Sequence, residues 1–270
     1  MRTRTEQTCR FSLGLAMLLV TLPGAKSMVA QAPAAANAAF HTYAQKVEGR
    51  LAEQHRSANS FMGINAEKAA RLRNGEVMIE QLKSSSTPDP DGAMLHHWRG
   101  TAFAAGATAA DFERLMKDFR AYPQVYAPQV MQAKVLAEHG DHLQVRMRVK
   151  QQHVITVVMD MTYDIQFARL DAKHGYSVSR STKIAEIQSP GARNERVLQE
   201  DEEHGFLWRL NTYWTYEERD NGLYMQIESV SLTRSIPTGL GWAVRPFIEI
   251  VPRGTLEFTL RSTQSALAKK

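Results

Sequence analysis

The side chains able to do chemistry are scattered along this chain. In "EHGDH" (Glu138 to His142) two imidazoles and two carboxylates share one turn. Histidine and carboxylate are ordinary zinc ligands, but tight turns also collect Gly, Asp and His for conformational reasons, so no metal is expected there. His96 and His97 are adjacent in an extended stretch and point to opposite faces, so one ion is not easily held by both. No Gly-x-Ser-x-Gly, phosphate loop or His-Glu-x-x-His occurs, and Ser, His and Asp form no readable triad. Cys9 is the one cysteine, so past the leader there is no thiolate nucleophile, disulfide or cysteine metal site. No cofactor is expected.

What the pattern does offer is apolar strand faces. In "VITVVMDMTYDIQF" one face carries Ile155, Val157, Met159, Met161, Tyr163, Ile165 and Phe167. In "HLQVRMRVK" Leu143, Val145, Met147 and Val149 alternate with Arg146, Arg148 and Lys150. Further on, Trp208, Leu210, Trp214 and Tyr216 are expected to share a face with Ile227, Ser229, Ser231 and Thr233. Such faces make an ordinary core or the wall of a cavity. Flexible methionines beside small hydroxylated residues favour an adaptable apolar cavity. Arg180, in phase with Tyr176 and Val178, either projects inward toward a carboxylate or a ligand's polar head, or sits at a strand end in water. Glu228 and Arg234, with Thr215 and Asn211, read as a solvated outer surface.

These faces need elements to position them. Phe40, Ala44, Val47 and Leu51 predict an amphipathic helix over 37–56, and a weaker one spans 66–72. "GEVMIEQLKS" and "AMLHHWRGTAFA" predict a hairpin across the "SSSTPDPDG" loop. Thr108 and Asp111 make a capping-box-like start for a helix carrying Phe112, Leu115, Met116 and Phe119. Pro123 and Pro128 are expected to end that helix at Tyr122 and turn the chain into a rim strand, with Tyr122 and Tyr126 at the mouth of the cleft. Strands follow at 129–138, 141–152, 154–168, 175–187, 205–218 and 223–235, with Asn221-Gly222 as a two-residue turn. Short connections make this an antiparallel meander. A short helix over 240–250, bearing Trp242 and interrupted at Pro246, then precedes a longer one whose stripe is Leu256, Leu260, Thr263 and Leu267.

The chain opens with Arg2, Arg4 and Arg10, the apolar run "FSLGLAMLLVTL" and the small-residue segment "PGAKSMVAQA", the order of a secretory signal peptide. Its twelve apolar residues fall short of the roughly 20 a spanning helix needs. Cleavage is expected after Ser27 or as late as Ala32, giving a periplasmic or secreted protein with no transmembrane segment. The leader holds Arg2, Arg4, Arg10 and Lys26 against Glu6, so its loss removes three of the five net positive charges. What remains is no nucleic-acid footprint.

The stretch "LMKDFRAYPQVYAPQVMQAKVL" resembles the helix, Tyr-Pro turn and strand of the coenzyme Q-binding branch of the START-like (helix-grip) superfamily. "SIPTGLGWAVRPFIEIVPRGTLEFTL" is similar to exported bacterial members of that superfamily. The resemblance runs over about 93–268 in element order. It implies an α+β helix-grip fold, a curved antiparallel sheet wrapped around a long C-terminal helix, with a cavity beneath that helix. The expected organisation is a leader over 1–27, an N-terminal helical extension over 33–74 and a START-like domain over 75–268.

The expected partner is a hydrophobic small molecule or lipid. Residues expected to line its site are Tyr122, Tyr126, Met147, Met159, Met161, Tyr163, Arg180, Trp208, Trp214, Trp242, Leu256 and Leu260. A cyclase- or hydrolase-type enzyme using the same cavity, and an envelope interaction module with its cavity filled by its own side chains, are the alternatives. The N-terminal helix is expected to cover the back of the C-terminal one. N-terminal sequencing of the exported protein should find a new terminus between residues 28 and 33, and an intact Met1 would refute the leader.

Overall fold

The computed structural model describes residues 31–83, 88–152, 156–235 and 241–268, with backbone alone over 241–250. The leader, part of the 84–92 loop and the side chain of Trp242 lie outside the described residues. Helices α1 Ala34–Gln54, α2 Ala66–Arg73, α3 Ala109–Lys117, α4 Tyr122–Val125 and α5 Gly241–Leu267 accompany nine strands. The strands are β1 Met78–Gln81, β2 Ala93–Ala105, β3 Val130–His139, β4 His142–Gln152, β5 Thr156–Arg169, β6 His174–Gln188, β7 Arg196–Val197, β8 Arg209–Arg219 and β9 Gly222–Arg234. All pairings are antiparallel, in the order β1-β2-β9-β8-β6-β5-β4-β3, with β7 beside β6. The ends of this order, β1 and β3, do not meet, so the sheet curves without closing. The expected α+β helix-grip architecture is what forms: α5 is gripped by the concave face, with Leu256, Leu260, Thr263 and Leu267 all buried.

Local expectations fare unevenly. Thr108 and Asp111 do form a reciprocal capping box. The helix they start ends at Lys117, earlier than expected, and Pro123 opens the one-turn α4 instead of stopping α3. That suits proline, whose missing N–H is no loss in a helix's first turn. Ala127-Pro128 then leads into β3, which is the predicted edge strand. Between β8 and β9 the residues with positive φ are Asp220 and Asn221, and Gly222 is already paired with Arg219. Gly222 is needed for space: a Cβ there would lie 2.4 Å from Phe103 and 2.6 Å from the Ala104 carbonyl oxygen. At the C-terminus, the expected break at Pro246 is absent, and one helix of 27 residues continues through both Pro246 and Pro252. Each proline removes a single backbone donor, and the chain stays helical on either side.

The larger correction concerns α1. It does not back α5 but lies on the opposite, convex face of the sheet. There Phe40, Val47 and Leu51 pack with Leu95, Trp208, Tyr213, Val230 and Leu232. Two helices thus sandwich the β2–β9–β8 region, and what reads as solvated outer surface is interior. Glu228 is 1% exposed. Its carboxylate accepts from Arg99 Nε at 2.9 Å and Nη2 at 2.8 Å, lies 3.0 Å from His97 Nε2, and is paired with Arg50 of α1. Tyr43 of α1 reaches the other nitrogen of His97 at 3.1 Å.

Burial pushes the Glu228 carboxyl up, but the His97 hydrogen bond and the charges of Arg99 and Arg50 outweigh it and bring its pKa down to about 2. A pKa lower in the folded than in the unfolded state stabilises above the unfolded value, and that stability is lost as pH falls through the folded one. The stabilisation should therefore be full above about pH 4.5 and fade toward pH 2. Glu228→Gln should cost roughly 3 kcal/mol at pH 7, the usual cost of breaking a buried pair. It should also flatten stability between pH 4.5 and 2. Urea melts of both proteins across that range check this.

Candidate ligand-binding site

α5 can sit deep in the sheet because β2 has no side chain where they meet. A Cβ on Gly100 would lie 2.6 Å from Leu260 Cδ1 and 2.9 Å from Ile79 Cδ1. Below this contact the concave face is closed. Phe112 of α3 packs on Trp214 and Tyr216 with ring centroids 5.3 and 4.7 Å apart. Gln264 Nε2 donates to the Phe103 carbonyl at 2.8 Å. The Tyr126 hydroxyl lies 3.1 Å from Thr263 Oγ1, tying α4 to α5.

Above the contact the sheet forks. β6 pairs with β8 only from His174 to Arg180, and beyond it pairs with β5 and β7. The bulge at Thr162/Tyr163 shifts β6 by one residue where the fork begins. Leu210 N–H donates to Ser181 Oγ at 2.9 Å across its base. Farther up, Glu186 holds the 198–207 loop, accepting from the backbone N–H groups of His204, Gly205 and Phe206 at 3.0 to 3.2 Å.

The concave wall around the fork is half-buried and mostly apolar. It comprises Met147 and Val149 of β4, Val157 of β5, Ile184 of β6, Leu210 of β8 and Phe258 of α5. Phe258 also borders a hollow of about 170 Å³ with Pro128, Gln129, Lys150 and Gln152, where the end of β4 meets α5. Across the strands runs a row of small hydroxyls: Ser179 faces Thr212, Thr212 faces Ser229, and Ser229 faces Trp98. The Trp98 indole N–H is buried and has no hydrogen-bond partner. A buried donor left unsatisfied typically costs about 1–3 kcal/mol. His96, one row on, lies 3.1 Å from Thr233 Oγ1, and burial holds its pKa down to about 4, so it is neutral at pH 7.

The structure brings together Met147, Met159, Met161, Tyr163, Trp214, Leu256 and Leu260 of the expected site, all on the concave side. It separates others. Arg180 points to the convex face, where it forms a bidentate pair with Glu48 of α1 at 2.9 and 2.7 Å. Trp208 precedes β8 and packs under α1. Tyr122 and Tyr126 make the closed end, not the mouth: Tyr122 donates to the Met116 carbonyl at 2.8 Å, and burial raises the pKa of both phenols, Tyr126 to about 12. Trp98 and Ser229 also stand on the concave face, as direct cross-strand partners. Strand parity puts Ser229 on the concave face, but sequence singles out no orphan indole.

His139 and His142 line a separate hollow of about 420 Å³ with Asp164 and Arg180. Among the described residues no group of three or more His, Cys, Asp or Glu is placed to hold a metal, and no helix is long and apolar enough to cross a membrane.

An unclosed antiparallel sheet gripping a long C-terminal helix is the helix-grip fold. Within that fold the chain is similar to the Zhui aromatase/cyclase from a Streptomyces species at 12% identity, TM-score 0.47, over 65% of this chain and 94% of that one. It is also similar to a STAR-related lipid transfer protein from Xanthomonas axonopodis, at 16% identity, TM-score 0.44, over 71% and 99% of the two chains. A START superfamily protein from Mycobacterium smegmatis follows at 13%, TM-score 0.42, over 64% and 97%. No protein-family model matches the chain, and no curated protein matches it.

The Gly100–Leu260 contact can be tested as a pair. Leu260→Ala should cost about 2–5 kcal/mol, the range for a fully buried leucine. Gly100→Ala should cost about 1–3 kcal/mol by overpacking. Because the added methyl would occupy space that Leu260 vacates, the double variant should lose clearly less than the sum in a double-mutant cycle by urea denaturation.

Proposed function

We propose that this chain is an exported module that binds a hydrophobic small molecule or lipid between the forked part of the sheet and α5. The reading rests on one observation. The concave wall made by Met147, Val149, Val157, Ile184, Leu210 and Phe258 is apolar yet only half-buried, while Phe112, Trp214, Tyr216 and Leu260 on the same face are buried. Apolar area left uncovered inside a cleft gains roughly 25 cal/mol per Å² when a ligand removes it from water. Methionine suits such a wall because its three rotatable bonds and polarizable sulfur adapt to different shapes. Export rests on the basic, apolar and small-residue order of the leader.

Protein purified from its native host should carry an apolar molecule, seen as a mass increment by native mass spectrometry and recovered by organic extraction. Protein refolded from denaturant is the control and should lack it. Met161→Lys should abolish the increment by placing a charge among apolar neighbours. Equal, empty spectra for native and refolded protein would sink the proposal.

A further inference from the structure

Resting on that reading, the structure also bears on which apolar molecules fit. We propose that Trp98, with Ser229 and Thr212 beside it, forms a polar subsite that takes a neutral hydrogen-bond acceptor, a carbonyl oxygen, on an otherwise apolar ligand.

Trp98 is 8% exposed, stands on the concave face, and its indole N–H has no partner. Indole is a donor only, so an acceptor alone completes it. Buried polar groups are nearly always paired, and each exception calls for a physical cause. A ligand oxygen supplies one. Trp98 and Ser229 are direct cross-strand partners, and so are Ser229 and Thr212, which puts neighbouring Cβ atoms about 5 Å apart. The side chains beside the indole, Ser229 and Thr212, are small and half-buried. Strand residues of similar depth elsewhere on the same face are large, as at Met159, Met161 and Tyr163.

Charge decides between a neutral and an ionised head. His96 is the nearest titratable group in register, and burial keeps it neutral at pH 7. The charged groups near this part of the sheet are paired: Glu186 accepts from the N–H groups of the 198–207 loop and lies 2.7 Å from His204 Nδ1, and Lys83, whose charge reaches His96, lies 2.6 Å from Asp89. Arginines near this part of the sheet are committed to the other face, Arg99 to Glu228 and Arg180 to Glu48. A carboxylate or phosphate beside Trp98 would lose its hydration and meet a cation, Lys83, that Asp89 already holds, whereas a ketone or ester carbonyl loses little and gains the indole.

Three probes of equal chain length separate these cases: 2-hexadecanone, hexadecane and hexadecanoate, each displacing Nile red from the full chain. The ketone should bind about tenfold more tightly than the alkane, and the carboxylate more weakly than the ketone. In Trp98→Phe the ketone's advantage should shrink to within about twofold while alkane binding is unchanged. Should Trp98→Phe misfold, the Trp98 indole proton in the wild-type protein gives the same answer by NMR. It should move downfield with the ketone and stay put with the alkane. An unchanged ketone preference in Trp98→Phe, a static indole proton, or tightest binding of the carboxylate would overturn the subsite while leaving apolar binding intact. Failure of all three probes to bind would overturn the apolar-ligand reading and the subsite with it.

Discussion

The height of α5 above the sheet depends on one missing side chain. With hydrogen alone at Gly100, Leu260 descends between Ile79 and Ile227 until helix and strand nearly touch. Everything on the concave side takes its dimensions from that contact. Toward the C-terminal end of α5 the helix is close enough for Gln264 to reach a β2 carbonyl and for Thr263 to meet Tyr126, and the face below is filled by Phe112, Trp214 and Tyr216. Toward the other end the wall is only half-buried. A helix pinned at one point against a curved sheet need not be equally close elsewhere, and close packing near the pin coexists with half-buried apolar side chains farther away.

The sheet contributes a second asymmetry. β6 follows β8 only as far as Arg180, then stays with β5. Separating two strands exposes backbone groups that must be paired otherwise. Ser181 supplies one bond at the base, and the Glu186 carboxylate organises the loop that enters the gap. The fork falls on the half of the concave face where the hydroxyl row and the Trp98 indole lie.

Most of the strand order could be read from the chain, because alternation with period two says which side chains share a face and short turns say which strands are neighbours. Met147, Met159, Met161 and Trp214 were legible for that reason. What alternation cannot say is what covers each face. Glu228, Thr215 and Asn211 read as surface because they are polar, yet α1 buries them, and the ion pairs that make this possible join residues far apart in sequence. Parity puts Trp208 on the inner face of a strand that in fact begins one residue later. Arg180 had two readings, and its partner Glu48 lies on a helix whose docking face could be recognised but whose docking site could not. The orphan indole of Trp98 depends on the absence of a neighbour, which no local pattern encodes.

Glu48 has a mechanical consequence as well. One of its oxygens accepts from Arg180 of β6 and also from the Tyr213 hydroxyl of β8, while the other takes the second arm of Arg180. Arg180 and its partner Asn211 are the last pair before the two strands part. A single carboxylate on the outer helix therefore spans the crotch of the fork, as a zip stop holds the end of an open seam. Widening that seam toward the packed half would first have to break the contacts that Arg180 and Tyr213 make with Glu48, so a helix on the outer face braces the junction of two strands on the inner one.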